Sequence, residues 1–410
     1  MEGTLFFALK GDNFDGNNYV TDALKKGCLL AITERTDLEG NSAVHSVPSA
    51  LEVLQQLAHY HRKRRSPRVL AITGSNGKTT TKELVTSVLS RKFSVHATSG
   101  NLNNHIGVPL TLLSMDAEEV AVIEMGANHP GEIRQLAGIV APHMGIITNV
   151  GKAHLEGFGS EQGVLKAKGE LFEYLSASGG TAIIDGRDQL LMQKAKETGV
   201  AVQEIASHGQ IPVSARIINQ SPYLAMQLEI DGALFRIATG LVGAYNLQNI
   251  LLAAGVGFLH GVEDSAIADA IRTYIPQNQR SQFVQGGRNR IILDSYNANP
   301  SSMREAISGF LAYASPPTML ILGDMAELGK SSRREHAELT KWIGSLSIDK
   351  VLLVGPKFSE VSEPSSGWEI FMKRSDLEEY LKSTRVERNH ILVKGSRVME
   401  LEKILKLITA

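Results

Sequence analysis

A glycine-rich loop followed by a lysine and two threonines is the strongest chemical signal in the sequence. It comprises Gly74, Ser75, Asn76, Gly77, Lys78, Thr79 and Thr80, and it lies between an apolar strand and a helical pattern. Glycines let backbone amides approach phosphate oxygens, the lysine reaches the outer phosphates, and the first threonine can bind Mg²⁺. The glycines stand two residues closer than in the usual P-loop. The loop therefore predicts a site for ATP and magnesium with shortened spacing.

Two other residues with metal chemistry follow predicted strands, and a lysine lies on the next predicted helix. Glu124 ends the strand VAVIE, where a parallel sheet presents a metal-bridging carboxylate, and His154 follows the strand ITNV. Lys168 belongs to a helix that opens near Ser160, and Lys166 faces a different side of that helix. A histidine alone in a loop is more often a surface residue, and a solvated lysine is the alternative for Lys168. The glutamate becomes a strong candidate only together with the phosphate loop.

The elements that must hold these residues alternate between short apolar strands and helices. This pattern predicts an α/β protein of three domains, since parallel strands covered on both faces have such sequences. We expect a small N-terminal α/β domain (residues 1–64), a central domain with a P-loop-type, mostly parallel sheet (65–276) and a C-terminal Rossmann-like, doubly wound domain (277–410). Alternating residues from Ser214 to Thr239 predict an antiparallel flap, and Tyr245 to His260 predict a buried helix. The basic stretch at residues 61–67 is interpreted as a solvated linker.

Composition limits the classes of function. The 410 residues include 42 Lys and Arg against 43 Asp and Glu, and 43% are hydrophobic. With a net charge of −1, the whole chain has no positive field that would attract nucleic acid or acidic membranes. No apolar run is long enough to span a bilayer. The one cysteine, Cys28, cannot form an internal disulfide, so we expect a cytoplasmic location.

Long sequence blocks resemble the Mur ligase family of ATP-dependent amide ligases. The blocks are TSGNLNNHIGVPLTLL (98–113), EMGANHPGEI (124–133), ITNVGKAHLEGFGS (147–160), AKGELF (167–172), ILDSYNANPSSM (292–303), LGDMAELG (322–329) and LVKGSR (392–397). Within the family they are most similar to members that join D-alanyl-D-alanine to UDP-N-acetylmuramoyl-tripeptide. The resemblance implies an ATP-dependent acid–D-amino-acid ligase that forms an acyl phosphate and releases ADP and phosphate. The alternatives are another amino-acid ligase of this superfamily and a catalytically silent ATP-binding module.

The resemblance also implies roles for individual residues. It implies that Thr79, Glu124, His154 and a carbamylated Lys168 hold two Mg²⁺ ions. It assigns adenine to Asn246 and Asn249, the γ-phosphate to Arg280, the ribose to Asp294, the flanks of the nucleotide to Tyr296 and Asn297, and the acyl phosphate to Lys394. It assigns the muramoyl-peptide to Asn101, Asn103, Asn104, His105, Asn128 and His129, and the dipeptide to the region of Asp324. A local interpretation makes residues 101–105 a turn and Asn246 a helix cap.

The beginning of the chain departs from the family pattern. Relatives open with a Ser/Thr-Asp-Ser/Thr-Arg stretch that contacts UDP, whereas here Met1-Glu2-Gly3 directly precedes the first strand. We therefore expect either a shortened start or a different mode of UDP binding. We further expect a monomer with small-molecule substrates, with no nucleic-acid partner and no stable membrane insertion.

Overall fold

A computed structural model describes residues 3–276, 280–362 and 367–409. The N-terminal part is a small α/β unit in which β1, β4 and β5 form a parallel sheet and β2 pairs with β3. Its elements are β1 (Leu5–Phe7), β2 (Lys10–Gly11), β3 (Phe14–Asp15), α1 (Val20–Lys25), β4 (Leu30–Thr33), β5 (Val44–Ser46) and α2 (Ala50–Arg65). The predicted small α/β fold is confirmed for the described residues.

The interpretation of residues 61–67 as a solvated linker is wrong, because α2 continues through most of this stretch to Arg65. The helix starts where the Ser49 side chain accepts a hydrogen bond from the Glu52 amide, and it ends at Ser66 with φ of 51°. Arg62 is only 5% exposed. Its guanidinium donates to the carbonyl oxygens of Val140 and Ala141, at distances of 2.8 and 2.6 Å. A buried arginine that satisfies the end of another helix is a packing group, which charge counting alone does not reveal.

The central part contains the predicted parallel sheet with helices on both faces. Six of the described strands lie in the order β11-β10-β9-β6-β8-β7, all parallel. The elements are β6 (Arg68–Thr73), α3 (Lys78–Leu89), β7 (Val95–Ala97), α4 (Gly107–Leu113), β8 (Val120–Glu124), α5 (Glu132–Val140), β9 (Met144–Ile147), α6 (Leu155–Phe158), α7 (Glu161–Ser178), β10 (Thr181–Asp185), α8 (Gln189–Thr198) and β11 (Ala201–Ile205). Because β6, β8 and β9 are adjacent, the loops that follow them meet at one edge of the sheet.

The predicted flap and buried helix follow this sheet. The flap is an antiparallel sheet of β12 (Val213–Gln220), β13 (Tyr223–Ile230) and β14 (Ala233–Val242), and the helices after it are α9 (Asn246–Leu259) and α10 (Asp264–Thr273). The flap's apolar side and α9 share one hydrophobic core with α3 and a face of the central sheet. On the opposite face of that sheet, a second core is formed with α4, α5 and α7 and also includes Ala58 of α2.

The C-terminal part is a doubly wound sheet with one antiparallel edge strand. Its order is β15-β16-β20-β17-β18-β19, and β15 is the antiparallel strand. The elements are β15 (Gln282–Gly286), β16 (Asn289–Asp294), α11 (Pro300–Leu311), β17 (Thr318–Gly323), α12 (Ser332–Ile343), β18 (Lys350–Val354), α13 (Pro356–Ser359), β19 (Trp368–Phe371), α14 (Arg374–Ser383), β20 (His390–Lys394) and α15 (Leu405–Ile408). In the parts of the chain that the structure describes, no helix is long and apolar enough to cross a membrane.

Candidate active site

The central and C-terminal sheets face each other across a cavity of about 760 Å³. Most of the predicted site residues line it: Ser75, Asn76, Gly77, Lys78, Thr80, Asn101, Asn103, Asn104, His105, Glu124, Asn128, His154, Asn246, Asn249, Arg280, Asp294, Tyr296, Asn297 and Lys394. The predicted residues outside this lining are Gly74, Thr79, His129, Lys168 and Asp324. The carboxyl ends of strands from two sheets therefore contribute to one site, as expected for doubly wound folds.

The phosphate loop connects β6 to α3 and depends on its two glycines. Gly74 and Gly77 have φ values of 145° and 75°, which disfavour residues with a side chain. A Cβ at Gly77 would also overlap the Asn249 amide oxygen. Lys78 begins α3, and its ammonium donates to the carbonyl oxygens of Gly74 and Ser75 at 2.7 and 3.2 Å. The loop thus places a cation and the N-terminus of a 12-residue helix at the cavity.

Thr79 and Glu124, the two residues predicted to bind the first Mg²⁺ ion, lie in contact with each other. The Thr79 hydroxyl donates to one Glu124 carboxylate oxygen at 2.9 Å, and the Asn103 amide donates to the other at 2.8 Å. Both Thr79 and Glu124 are buried. A hydroxyl and a single carboxylate are oxygen donors that suit Mg²⁺ when phosphate oxygens and water complete the shell. These two residues therefore fit one Mg²⁺ ion.

His154 lies in the cavity opposite a residue that sequence reasoning did not single out. Its Nδ1 is 2.6 Å from a carboxylate oxygen of Glu327, although the two groups are not aligned as a hydrogen bond. This contact lowers the pKa of the Glu327 carboxyl. Glu327 belongs to the sequence block LGDMAELG. Its backbone is left-handed, with φ of 61°, and the sequence gives no sign of this conformation. The pair joins the loop after β9 to the C-terminal sheet.

Lys168 is fully buried on α7, whereas Lys166 is exposed, as the helical spacing predicted. Its amine donates to the Ala127 carbonyl at 3.2 Å and lies 5.2 Å from the centre of the Phe158 ring. Removal from water, reinforced by the positive charge of Lys78, lowers the pKa of Lys168 well below its ordinary value. The described residues include no cluster of three or more His, Cys, Asp or Glu side chains that could hold a metal. As an amine, Lys168 offers none of the oxygen ligands that Mg²⁺ prefers.

Asn246 and Asn249 form a buried amide pair beside the phosphate loop. Asn249 donates to Asn246 at 2.9 Å and accepts from the Thr81 hydroxyl at 3.1 Å. Asn246 does not cap α9, because Tyr245 occupies the cap position and the Asn246 amide donates to the Val242 carbonyl. The helix-cap interpretation of Asn246 is therefore wrong.

The C-terminal sheet contributes an ion pair and a stacked arginine. The Lys394 ammonium is 2.6 Å from the Asp294 carboxylate and donates to the Asn297 carbonyl at 3.0 Å, and its side chain is 2% exposed. The lysine thus pairs with the aspartate at the cavity wall and orients it. Arg280 places its guanidinium carbon 3.9 Å from the centre of the Tyr296 ring.

The loops predicted to bind the muramoyl-peptide have mixed roles. The Asn104 side chain accepts from the amides of Ile106 and Gly107, which confirms the local turn. The amides of Asn128 and His129 donate to the Glu132 carboxylate. Asn101, His105 and the Asn128 side chain remain on the cavity wall, while His129 is exposed outside it.

Asp324 is not brought to the cavity. Its buried carboxylate accepts hydrogen bonds from the backbone amides of Lys357 and Phe358, both at 2.9 Å. Burial raises the pKa of this carboxyl. Both of its oxygens therefore support the start of α13.

Direct contacts join the phosphate loop to the C-terminal sheet through residues that the sequence did not single out. The Asn299 amide donates to Asn76 at 2.8 Å while its oxygen caps α11 by accepting from the Ser302 amide. The Lys152 amide donates to Ser301, and its ammonium lies 3.0 Å from both carboxylate oxygens of Glu335. Glu335 is 2% exposed. The two sheets therefore meet in an assembled cleft.

Comparisons with known proteins agree with this architecture. Residues 72–257 match the Mur ligase middle domain, and residues 279–397 match the Mur ligase glutamate ligase domain. The UDP-N-acetylmuramoyl-tripeptide–D-alanyl-D-alanine ligase of Escherichia coli is 34% identical, with alignment over 99% of this chain and 91% of that protein. A crystal structure of MurF from Acinetobacter baumannii is 32% identical, with a TM-score of 0.90 over 100% of this chain and 91% of that one. MurF from Thermotoga maritima in complex with ADP is 26% identical, with a TM-score of 0.88 over 100% and 94%.

Proposed function

This chain belongs to the Mur ligase family, and we infer that it is the ATP-dependent ligase that joins D-alanyl-D-alanine to UDP-N-acetylmuramoyl-tripeptide. One observation carries the inference: similarity to ligases of this activity extends over nearly the whole chain. The cleft supports it, because a phosphate loop, a buried carboxylate and cations from a second sheet surround one cavity. The product is a peptidoglycan precursor.

The proposed reaction has two steps. The terminal carboxylate of the tripeptide attacks the γ-phosphorus of ATP, forming an acyl phosphate while ADP leaves. The dipeptide amine, after losing a proton, attacks the acyl carbonyl, and the tetrahedral intermediate collapses with loss of inorganic phosphate. Lys78 and the amides that begin α3 stabilise charge on the transferred phosphoryl group. Arg280 adds a second cation from the C-terminal sheet, which requires the assembled cleft.

We assign one Mg²⁺ ion to Thr79 and Glu124, whose oxygens fit it. When bound, the ion neutralises charge on the phosphate oxygens. We propose that His154 and Lys168 contribute to a second ion only after carbamylation of the lysine, since an ammonium or amine on Lys168 lacks the carboxylate oxygens that Mg²⁺ prefers. A buried amine with a lowered pKa is neutral over a wider pH range, and only a neutral amine can add to CO₂.

We propose that the residues around the cavity also bind adenosine and the muramoyl-peptide. Asn246 and Asn249 provide amides for adenine, Asp294 provides a carboxylate for the ribose, and Tyr296 and Asn297 flank the nucleotide. The structure favours an orienting role for Lys394 over direct contact with the acyl phosphate, since its ammonium already pairs with Asp294 and donates to the Asn297 carbonyl. For the muramoyl-peptide, the structure favours the cavity-wall residues Asn101, His105 and Asn128 over His129.

We also propose three domains, divided near residues 64 and 276, with α2 fastened to the central one. The second boundary adjoins residues 277–279, which lie outside the described part of the chain. We place the reaction in the cytoplasm, where ATP and UDP-linked precursors are available, in keeping with the free, buried Cys28. We propose that the monomer is active, since both sheets of one chain complete the cleft.

Phosphate release by the purified protein tests the proposed function. The assay contains ATP, Mg²⁺ and UDP-N-acetylmuramoyl-tripeptide, with D-alanyl-D-alanine or single amino acids as the amine. We expect release only with the dipeptide, and a loss of about 10²-fold or more in Lys78→Ala because a preorganised charge is removed. Lys166→Ala, an exposed lysine on α7, is the matched control.

Two results would contradict the proposal in different ways. Stimulation by a single amino acid alone would indicate another ligase of the family. ATP binding without phosphate release under any substrate combination would indicate a non-catalytic ATP-binding module.

A further inference from the structure

Two arginines flank one aromatic ring at the C-terminal side of the cleft. The guanidinium carbons of Arg280 and Arg397 lie 3.9 and 5.2 Å from the centre of the Tyr296 ring. Within residues 3–276, 280–362 and 367–409, neither guanidinium has a carboxylate oxygen within 4.0 Å. The ring holds the two cations by cation–π attraction but does not neutralise them. Two unneutralised guanidinium groups beside a cavity indicate a site for anions.

The other cations around the described cleft already have partners. They are Lys394 with Asp294, Arg187 with Asp185 and Lys152 with Glu335, while Lys78 is assigned to the transferred phosphoryl group of ATP. A second anionic group of a substrate, distinct from the ATP phosphates, would therefore meet the arginines at Tyr296 before any of these.

The two arginines differ in depth. Arg280 lines the same cavity as the phosphate loop, and its Nε is buried. It therefore belongs to the phosphate end of the cleft. Arg397 is exposed and begins the short 3₁₀ turn Arg397–Met399 after β20. Because it contacts the ring of a cavity-lining tyrosine from an exposed position, Arg397 lies at the rim.

We propose that Arg397 binds the terminal carboxylate of the incoming dipeptide. This assignment rests on the proposed function and says where in the cleft the incoming dipeptide binds. The dipeptide amine must reach the acyl phosphate, so its carboxylate lies at the far end, about 7 Å away for two extended residues. A guanidinium presents two parallel N–H donors that match a carboxylate. A single amino acid is too short to place its amine at the phosphate end and its carboxylate at the rim.

A substrate that lacks the carboxylate charge tests this role directly. We compare D-alanyl-D-alanine with D-alanyl-D-alaninamide, measuring kcat/KM for each at saturating ATP and UDP-N-acetylmuramoyl-tripeptide. For the wild-type protein we expect the amide to be about 10- to 100-fold poorer, the range of a charge-assisted hydrogen bond. For Arg397→Met we expect kcat/KM for the dipeptide to fall by the same factor and the two substrates to become equal within about 2-fold.

The matched control is Arg385→Met, an exposed arginine paired with Glu387. It should discriminate like the wild type, and both variants should keep the wild-type midpoint of thermal unfolding. Retention of the wild-type preference by Arg397→Met would overturn the assignment. So would a raised KM for ATP with unchanged preference, which would mean that Arg397 only supports Tyr296. If the wild type uses neither substrate, the proposed function itself fails, and the assignment fails with it.

Discussion

The side chain of Asn299 performs two tasks that substitution can separate. Its oxygen caps α11 by accepting from the Ser302 amide at 2.9 Å, and its nitrogen donates to Asn76 of the phosphate loop at 2.8 Å. Serine is as good a helix cap as asparagine, but it has no second group that could reach Asn76. Asn299→Ser therefore removes only the link between the two sheets, and Asn299→Ala removes both the link and the cap.

The expected magnitudes follow from these contacts. A hydrogen bond between neutral groups contributes about 0.5–1.5 kcal/mol, so losing the link should lower kcat/KM for ATP about 2- to 12-fold in both variants. Loss of the cap costs about 1 kcal/mol more, which should lower the unfolding midpoint by roughly 1–2 °C in Asn299→Ala alone. The link acts on ATP because Asn76 also donates from its backbone to Asn149 and so belongs to the loop that holds the phosphates.

Steady-state kinetics with varied ATP and thermal unfolding followed by circular dichroism measure the two effects. The reasoning would be refuted if Asn299→Ser kept the wild-type kcat/KM for ATP. It would also be refuted if Asn299→Ser lost as much thermal stability as Asn299→Ala, because the capping role would then be misassigned.

Three further predictions concern other parts of the structure. Arg62→Met should lose about 2 kcal/mol or more in urea unfolding, because it leaves buried carbonyl oxygens unpaired, whereas Lys63→Met should lose almost nothing; equal effects would contradict the packing role. The contact with His154 lowers the pKa of Glu327 below 4.5, so the carboxylate stabilises the fold above that pH and less as pH falls. The stability difference between wild type and Glu327→Gln should be at most about 1 kcal/mol at pH 6 and should shrink as the pH falls below 4.5; a difference that grows on acidification would contradict this sign. Lys168→Met should lower the ligase activity about 10²-fold. Removal of bicarbonate should reversibly inhibit only proteins that keep the lysine. Activity that is insensitive to bicarbonate would count against carbamylation.

The sequence predicted those parts of the site that follow strands. Gly74 to Thr80 and Glu124 were found because each stands at the carboxyl end of an apolar run, and parallel strands bring such ends together. Asp294 also ends a strand, but its role came from the family resemblance. Lys168 was separated from Lys166 by helical spacing, which the structure confirms in their burial.

Residues that depend on how two sheets meet could not be found in this way. Asn299 and Glu327 are distant in sequence from their partners Asn76 and His154, and no local pattern encodes a contact across a cleft. Arg62 was misinterpreted for a similar reason: a run of basic residues looks solvated until the helix end that it satisfies is known.

The packing of α2 on the central part determines where the chain can hinge and where it can be truncated. Gln55, His59, His61 and Arg62 all hydrogen bond to carbonyl oxygens of the central part, and Ala58 belongs to its core. Any pivot of the first sheet must therefore precede the helix, at Val47-Pro48-Ser49, and not at residues 61–67. A fragment beginning after residue 66 would expose the apolar surface that α2 covers, so a stable central fragment must begin before residue 50.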